Sequence, residues 1–294
     1  MRASFLFINK SFWKSPLNIL FAFVIPTVLL CAACGAWSMF NSEISPVLMF
    51  PTVSYISIVF IGLLVLPAII FTYRKANILR RIEDSGNHKI AFIFAMCLFF
   101  TILFFFTYLI NCGLCTLILV KNRQMLIMWK TANYGCILYA LILVILLTTS
   151  IGIVLGLNAK TMISIQVFGV SVTLISTFLS FWIAPIQLIG AEPTRNPMML
   201  ISLFWPYRYI SDQFAESWLQ TYSFNVFHTN PFDFMNAYCS WIFPTFPDVT
   251  SNDFMQIITP TIKVLDMVIP YSLIVIVYLF QFLVWKFKPQ QERD

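Results

Sequence analysis

The sequence predicts an all-α integral membrane protein: one transmembrane domain over residues 1–294 with six transmembrane helices. An N-terminal interfacial helix precedes them, and a re-entrant segment plus a small extracellular cap precede the last one. Three observations carry this. The chain is 60% hydrophobic and only 10% charged, against about 25% charged in a soluble domain. Its apolar runs reach the roughly 20 residues that cross a bilayer. Its charges gather between those runs. The formal excess of base, +6, lies at span ends beside aromatic residues, as in snorkelling and aromatic belts. That placement fits a lipid bilayer as partner and excludes nucleic acid.

Residues 3–14 form the expected interfacial helix, with Phe5, Ile8, Phe12 and Trp13 toward lipid and Lys10 and Lys14 toward water. No cleavable signal is expected, because Asn9 and Lys10 break the first apolar stretch and no small-residue cleavage site follows promptly. Ser15-Pro16 reads as an N-cap and first helical residue. The first span covers about 17–38 with a kink at Pro26, and the second about 52–73 with an interruption at Pro67. Residues 74–84 read as a short amphipathic helix, with Ile78, Leu79 and Ile82 on one side and Arg74, Arg80, Arg81 and Asp84 on the other. Ser85-Gly86-Asn87 stops it.

The third span runs uncharged from about Ile90 to Val120, longer than a bilayer core requires. Residues 121–130 read as a short connector. The fourth span, about 131–157, carries Gly152 and Gly156 in a G-x-x-x-G spacing that lets helices approach closely. The fifth, about 162–189, is rich in hydroxyls, including Ser171, Thr173, Ser176, Thr177 and Ser180. These suit helix packing, or the lining of a mildly polar path. Residues 190–262 are a re-entrant and extracellular segment: Pro-punctuated, too short at Met198–Phe204 to span, with an amphipathic helix from Pro206 to Gln220 whose face is Ile210, Phe214 and Trp218. The last span covers about 264–286.

With both termini inside, the inner segments (1–16, 74–89, 158–161, 286–294) hold 12 Lys/Arg and 4 acids, while the outer segments hold 6 and 8. The positive-inside rule therefore puts 74–89 in the cytoplasm and predicts a multi-pass protein of the cell membrane.

The chain contains no G-x-x-x-x-G-K-[ST], H-E-x-x-H or G-x-S-x-G. The C-x-x-C pairs Cys31/Cys34 and Cys112/Cys115 lack a third ligand type nearby, so small buried hydrophobes describe them better than a metal site. The spans hold essentially no carboxylates, which argues against a buried proton relay. No catalytic residues and no cofactor of its own are expected.

The order of these features resembles the membrane subunit of a type-2 ATP-binding-cassette exporter, an ABC transporter permease. The resemblance rests on KSPLNILFAFVIP (14–26), RKANILRRIEDSGNHK (74–89), SIGIVLGLNAK (150–160), and IAPIQLIG with SLFWPYRYISDQFAESW (183–190 and 202–218). Two departures from the family pattern are Gly86 after Ser85, where Pro is usual, and a longer segment over 221–262. The resemblance implies a cytoplasmic ATPase, carrying ATP and Mg, docked on a coupling helix at 74–85. Arg74, Lys75, Arg80, Arg81, Glu83 and Asp84 would be contacts rather than catalysts. It also implies a second permease subunit, identical or homologous. Two alternatives stand beside it. One is a membrane-embedded lipid-modifying enzyme drawing on Glu192, Arg195, Asp212, Glu216, His228 or Asp233. The other is a non-transporting structural or regulatory membrane subunit.

Overall fold

The computed structural model describes residues 2–38, 50–51, 53–84, 89–119, 123–180, 205–227 and residues 272, 275 and 276. Among the described residues every regular element is helical. Four helices among the described residues are long and apolar enough to cross a membrane: Ile56–Lys75, Ala91–Ile118, Tyr134–Asn158 and Met162–Leu179. A fifth crossing results if the bent pair Ser4–Lys14 and Pro16–Ala32 is one span. The chain is thus a multi-pass helical membrane protein by helix length and hydropathy. The expected sixth span at 264–286, apart from residues 272, 275 and 276, the short segment 198–204 and the cap beyond residue 227 lie outside the described residues.

Helix α1 (Arg2–Lys14) turns by 85° into the first apolar helix. Its inner face differs from the amphipathic reading: Ile8 and Phe12 are buried, while Leu6, Phe7 and Trp13 are exposed. Phe12 packs edge-on against Phe99 and Phe100 with ring centroids at 5.5 and 6.3 Å. A neighbouring helix supplies the apolar surface that lipid was expected to supply. The first apolar helix is α2 (Pro16–Ile19), a π-helical turn (Leu20–Val24) and α3 (Ile25–Ser38). Ser15 occupies the N-cap position before Pro16, but its side chain makes no capping hydrogen bond.

The second span has the same plan: α4 (Ile56–Phe60), a π turn (Ile61–Val65) and α5 (Leu66–Lys75). Each π turn ends just before a proline, Pro26 or Pro67. Proline cannot donate to the carbonyl four residues back, and its ring crowds that carbonyl. The backbone widens instead, with Ile25 N bonded to Leu20 O and Leu66 N to Ile61 O. The expected kinks therefore take the form of π bulges.

Around the second span lie α6 (Ile78–Asp84), α7 (Lys89–Ile118), α8 (Arg123–Thr131), α9 (Tyr134–Asn158), α10 (Met162–Leu179) and α11 (Pro206–Phe227). At 30 residues α7 is about 45 Å long, more than a ~30 Å core requires. Asn133 caps α9 by accepting from Cys136 N at 3.2 Å, and Thr161 caps α10 by accepting from Ser164 N at 3.1 Å. The second span is the hub: its apolar window is 89% buried, against 28% for α10.

Glycine admits the neighbours to the hub. A Cβ on Gly152 would overlap Gly62 O. One on Gly156 would lie 2.7 Å from Ile70 Cβ and 3.0 Å from Pro67 O. One on Gly169 of α10 would lie 2.6 Å from Leu63 O. Gly62 itself receives the Thr148 methyl group. The G-x-x-x-G of α9 thus seats on the hub within one chain.

Substituting valine for Gly152 forces backbone against backbone. The Gly152→Val variant should lose about 3 kcal/mol, the upper end of overpacking costs, read as a lower thermal midpoint in detergent. Gly113, with open space where a Cβ would go, should tolerate alanine with a gain of roughly 0.5–1 kcal/mol.

Candidate functional site

The charged segment after the hub is arranged differently from its sequence reading. Residues 74–84 are not one helix. α5 ends at Lys75, the chain turns through Ala76 and Asn77, and α6 restarts at Ile78. Asn77 has φ 51°, a left-handed conformation that asparagine tolerates. Arg74 and Lys75 therefore belong to the last turn of the hub.

Arg74 donates from Nη1 to Leu157 O and from Nη2 to Ala159 O. These are free carbonyls at the C-terminus of α9, where a cation also complements the helix dipole. The guanidinium lies 5.3 Å from the Phe71 ring centroid, and the Lys75 ammonium 5.1 Å from it. Arg74 is a tie between the hub and α9. On α6, Ile78 and Ile82 pack on the core, whereas Arg81 and Asp84 are exposed. Arg80 and Glu83 lie on the same helix.

The hydroxyls of α10 separate into two groups. Thr173 donates to Gly169 O at 2.7 Å and Thr177 to Leu174 O at 2.6 Å, both within the helix. Ser176 accepts from Trp205 Nε1 at 3.0 Å, and the Ser180 hydroxyl is buried without a partner. Ser171 is exposed on a face shared with Val167, Leu174 and Phe178.

At the end of the bundle opposite Arg74, α11 closes over the hub, α8 and α9. Ile210, Phe214 and Trp218 are buried, as their spacing predicts. Trp218 meets Phe50 and Trp129 edge-on, both with centroids at 4.9 Å. Asn133 N donates to Ser217 O at 2.9 Å. The Tyr55 and Ser211 hydroxyls are 2.5 Å apart, and the Tyr207 hydroxyl donates to Thr148 Oγ1 at 3.4 Å. Burial pushes the Tyr207 phenol well above its ordinary pKa, more than the Thr148 bond lowers it, so it stays a neutral donor.

One feature has no counterpart in the sequence reading. A cavity of about 400 Å³ opens between the α1–α2 elbow, the hub and the start of α10. Its hydrogen-bonding side chains are Ser11, Ser15, Asn18, Thr72, Tyr73 and Gln166. Among the described residues that line it there is neither a carboxylate nor a cation. The hydroxyls singled out on α10 lie elsewhere; that helix contributes Met162, Gln166 and Val170, a stripe at four-residue intervals.

Of the lipid-enzyme candidates, Glu192, Arg195, His228 and Asp233 lie outside the described residues, and Asp212 and Glu216 occupy positions on α11. Among the described residues no group of three His, Cys, Asp or Glu side chains could hold a metal ion. Cys112 and Cys115 are buried in the core. Comparison of the chain with protein-family models, curated proteins and solved structures found no match.

Removing the Arg74 tie leaves two α9 carbonyls without their charged donor. Arg74→Met should cost about 2–3 kcal/mol, in the range of hydrogen bonds to a charged group, measured by thermal unfolding in detergent. Arg74→Lys should recover only part of it, because an ammonium cannot reproduce the guanidinium fork.

Proposed function

We propose that the chain is the membrane-spanning permease subunit of an ATP-driven exporter, frames the translocation path, and couples to a separate cytoplasmic ATPase. In this reading the protein sits in the cell membrane with both termini in the cytoplasm. Two subunits, identical or homologous, frame the path, and the partner ATPase binds ATP and Mg.

The observation that carries the proposal is α6. It is a short helix held on the bundle by Ile78 and Ile82, with Arg81 and Asp84 facing out. Four residues before it, on the hub, Arg74 ties the hub to α9. A force applied to α6 therefore meets a buried, cross-tied span rather than a slack loop. The scarcity of charge within the spans also supports an external energy source: Ala91–Ile118, Tyr134–Asn158 and Met162–Leu179 contain no Asp, Glu, Lys or Arg. The order of sequence features over nearly the whole chain points the same way.

The proposal predicts that an ATPase with a G-x-x-x-x-G-K-[ST] motif, encoded beside this chain, co-purifies with it. Arg80→Glu with Arg81→Glu should leave the thermal midpoint unchanged while export per ATP hydrolysed falls at least about tenfold, a change of ~1.4 kcal/mol in coupling. Export at the unaltered rate in that double variant would remove α6 from the coupling role.

A further inference from the structure

We infer that the cavity between the α1–α2 elbow, the hub and α10 binds an amphiphile with an uncharged, hydroxyl-rich head. Four observations lead there. The first is size: about 400 Å³ lies within the range of small-molecule sites, ~300–1,000 Å³, and far above the ~30 Å³ of a single water.

The second is the Tyr73 hydroxyl. Tyr73 lines the cavity and is 4% exposed, and its hydroxyl has no hydrogen bond of normal geometry. Ser11 is its polar neighbour. A buried phenol left in this state costs free energy that a ligand hydroxyl would recover. Ser15, which makes no capping bond, lines the same space.

The third is charge. The six polar side chains are hydroxyls and carboxamides, able both to donate and to accept, with no ionic group among them. Such a set matches alcohol or amide groups. An anionic or cationic head would be desolvated there without a counter-charge.

The fourth is the way out. Leu17, Gln166 and Val170 at the rim are exposed, and Leu17 and Val170 offer apolar surface to an alkyl chain. The cavity lies at the end of the spans that carries Lys14, Arg74 and Lys160, at the depth where a lipid-like molecule changes from head to tail. The site does not depend on the exporter reading, because its occupancy needs no nucleotide.

The test uses the full-length protein in phosphatidylcholine nanodiscs with a diazirine-bearing dodecyl maltoside as probe. Saturable cross-links should map to residues 64–73 and 162–170. Unlabelled dodecyl maltoside should compete at least about tenfold better than dodecyl sulfate or dodecyltrimethylammonium, and free maltose should not compete. Tyr73→Phe with Gln166→Leu should lower labelling about tenfold, the loss of one to two hydrogen bonds. Ala68→Phe, which fills the cavity from the hub, should abolish it; thermal midpoints of all variants report folding. Equal competition by the charged detergents, or labelling spread around the bundle, overturns the proposal in favour of ordinary boundary lipid. Labelling that is unchanged in the folded Tyr73→Phe, Gln166→Leu protein overturns the proposal, because the probe then binds without the polar side chains said to recognise its head. Absence of saturable labelling also overturns it.

Discussion

Backbone oxygens of the hub meeting glycines of two other helices are the contact on which the rest of the bundle depends. Gly62 O faces Gly152, Pro67 O faces Gly156, and Leu63 O faces Gly169. Lipid offers little hydrophobic incentive for helices to associate, so close van der Waals approach must supply it. Carbonyls seated over glycine Cα groups add weak C–H···O attraction of about 0.5–1 kcal/mol each. Pro67 contributes by subtraction. It cannot donate to Leu63 O, and Leu63 O is the oxygen presented to Gly169. The π turn before it widens the backbone in the same stretch, where Gly62 leaves room for the Thr148 methyl group.

That seating leaves the hub with two distinct sides. Gly62, Leu66, Pro67 and Ile70 meet α9, while Leu64, Ala68 and Thr72, four residues apart, turn toward the cavity. Gly169 reaches Leu63 and Leu64, and nearer its start α10 lines the cavity with Met162 and Gln166. The elbow of α1 and α2, bent by 85°, walls the same space through Ser11, Ser15 and Asn18.

Much of this architecture is legible in the sequence, and what is not legible has identifiable causes. Long apolar runs, the Ser15-Pro16 start, and the Ile210/Phe214/Trp218 spacing each correspond to a described element because one local rule decides them. Pro26 and Pro67 mark their disturbances, yet the choice of a π bulge over a kink depends on partners far away in sequence. The stretch 74–84 reads as one helix because it lacks Gly and Pro; the left-handed Asn77 that splits it is a weak signal. Helix α8 reads as a connector because it is short and follows charges, although buried Met125 and Met128 keep helical spacing. The amphipathic face of α1 is visible, but not whether lipid or α7 covers it. The cavity is invisible for a stronger reason. Its six polar side chains come from three separate segments, and each alone reads as an ordinary interfacial residue.

Arg74 belongs to the fold, whereas the exposed charges of α6 do not. An arginine in the last turn of a buried span has to leave its charge near water or satisfy it locally. Arg74 does so with two carbonyls that a helix end leaves free in any case, so the tie closes two unmet demands together. Beyond the Asn77 turn α6 packs on the core through Ile78 and Ile82, while its exposed Arg81 and Asp84 meet no such demand. Charge on one side of that turn stabilises the bundle; charge on the other side remains available to a partner. The boundary is a single residue with a positive φ, and it divides what looked in sequence like one continuous basic helix.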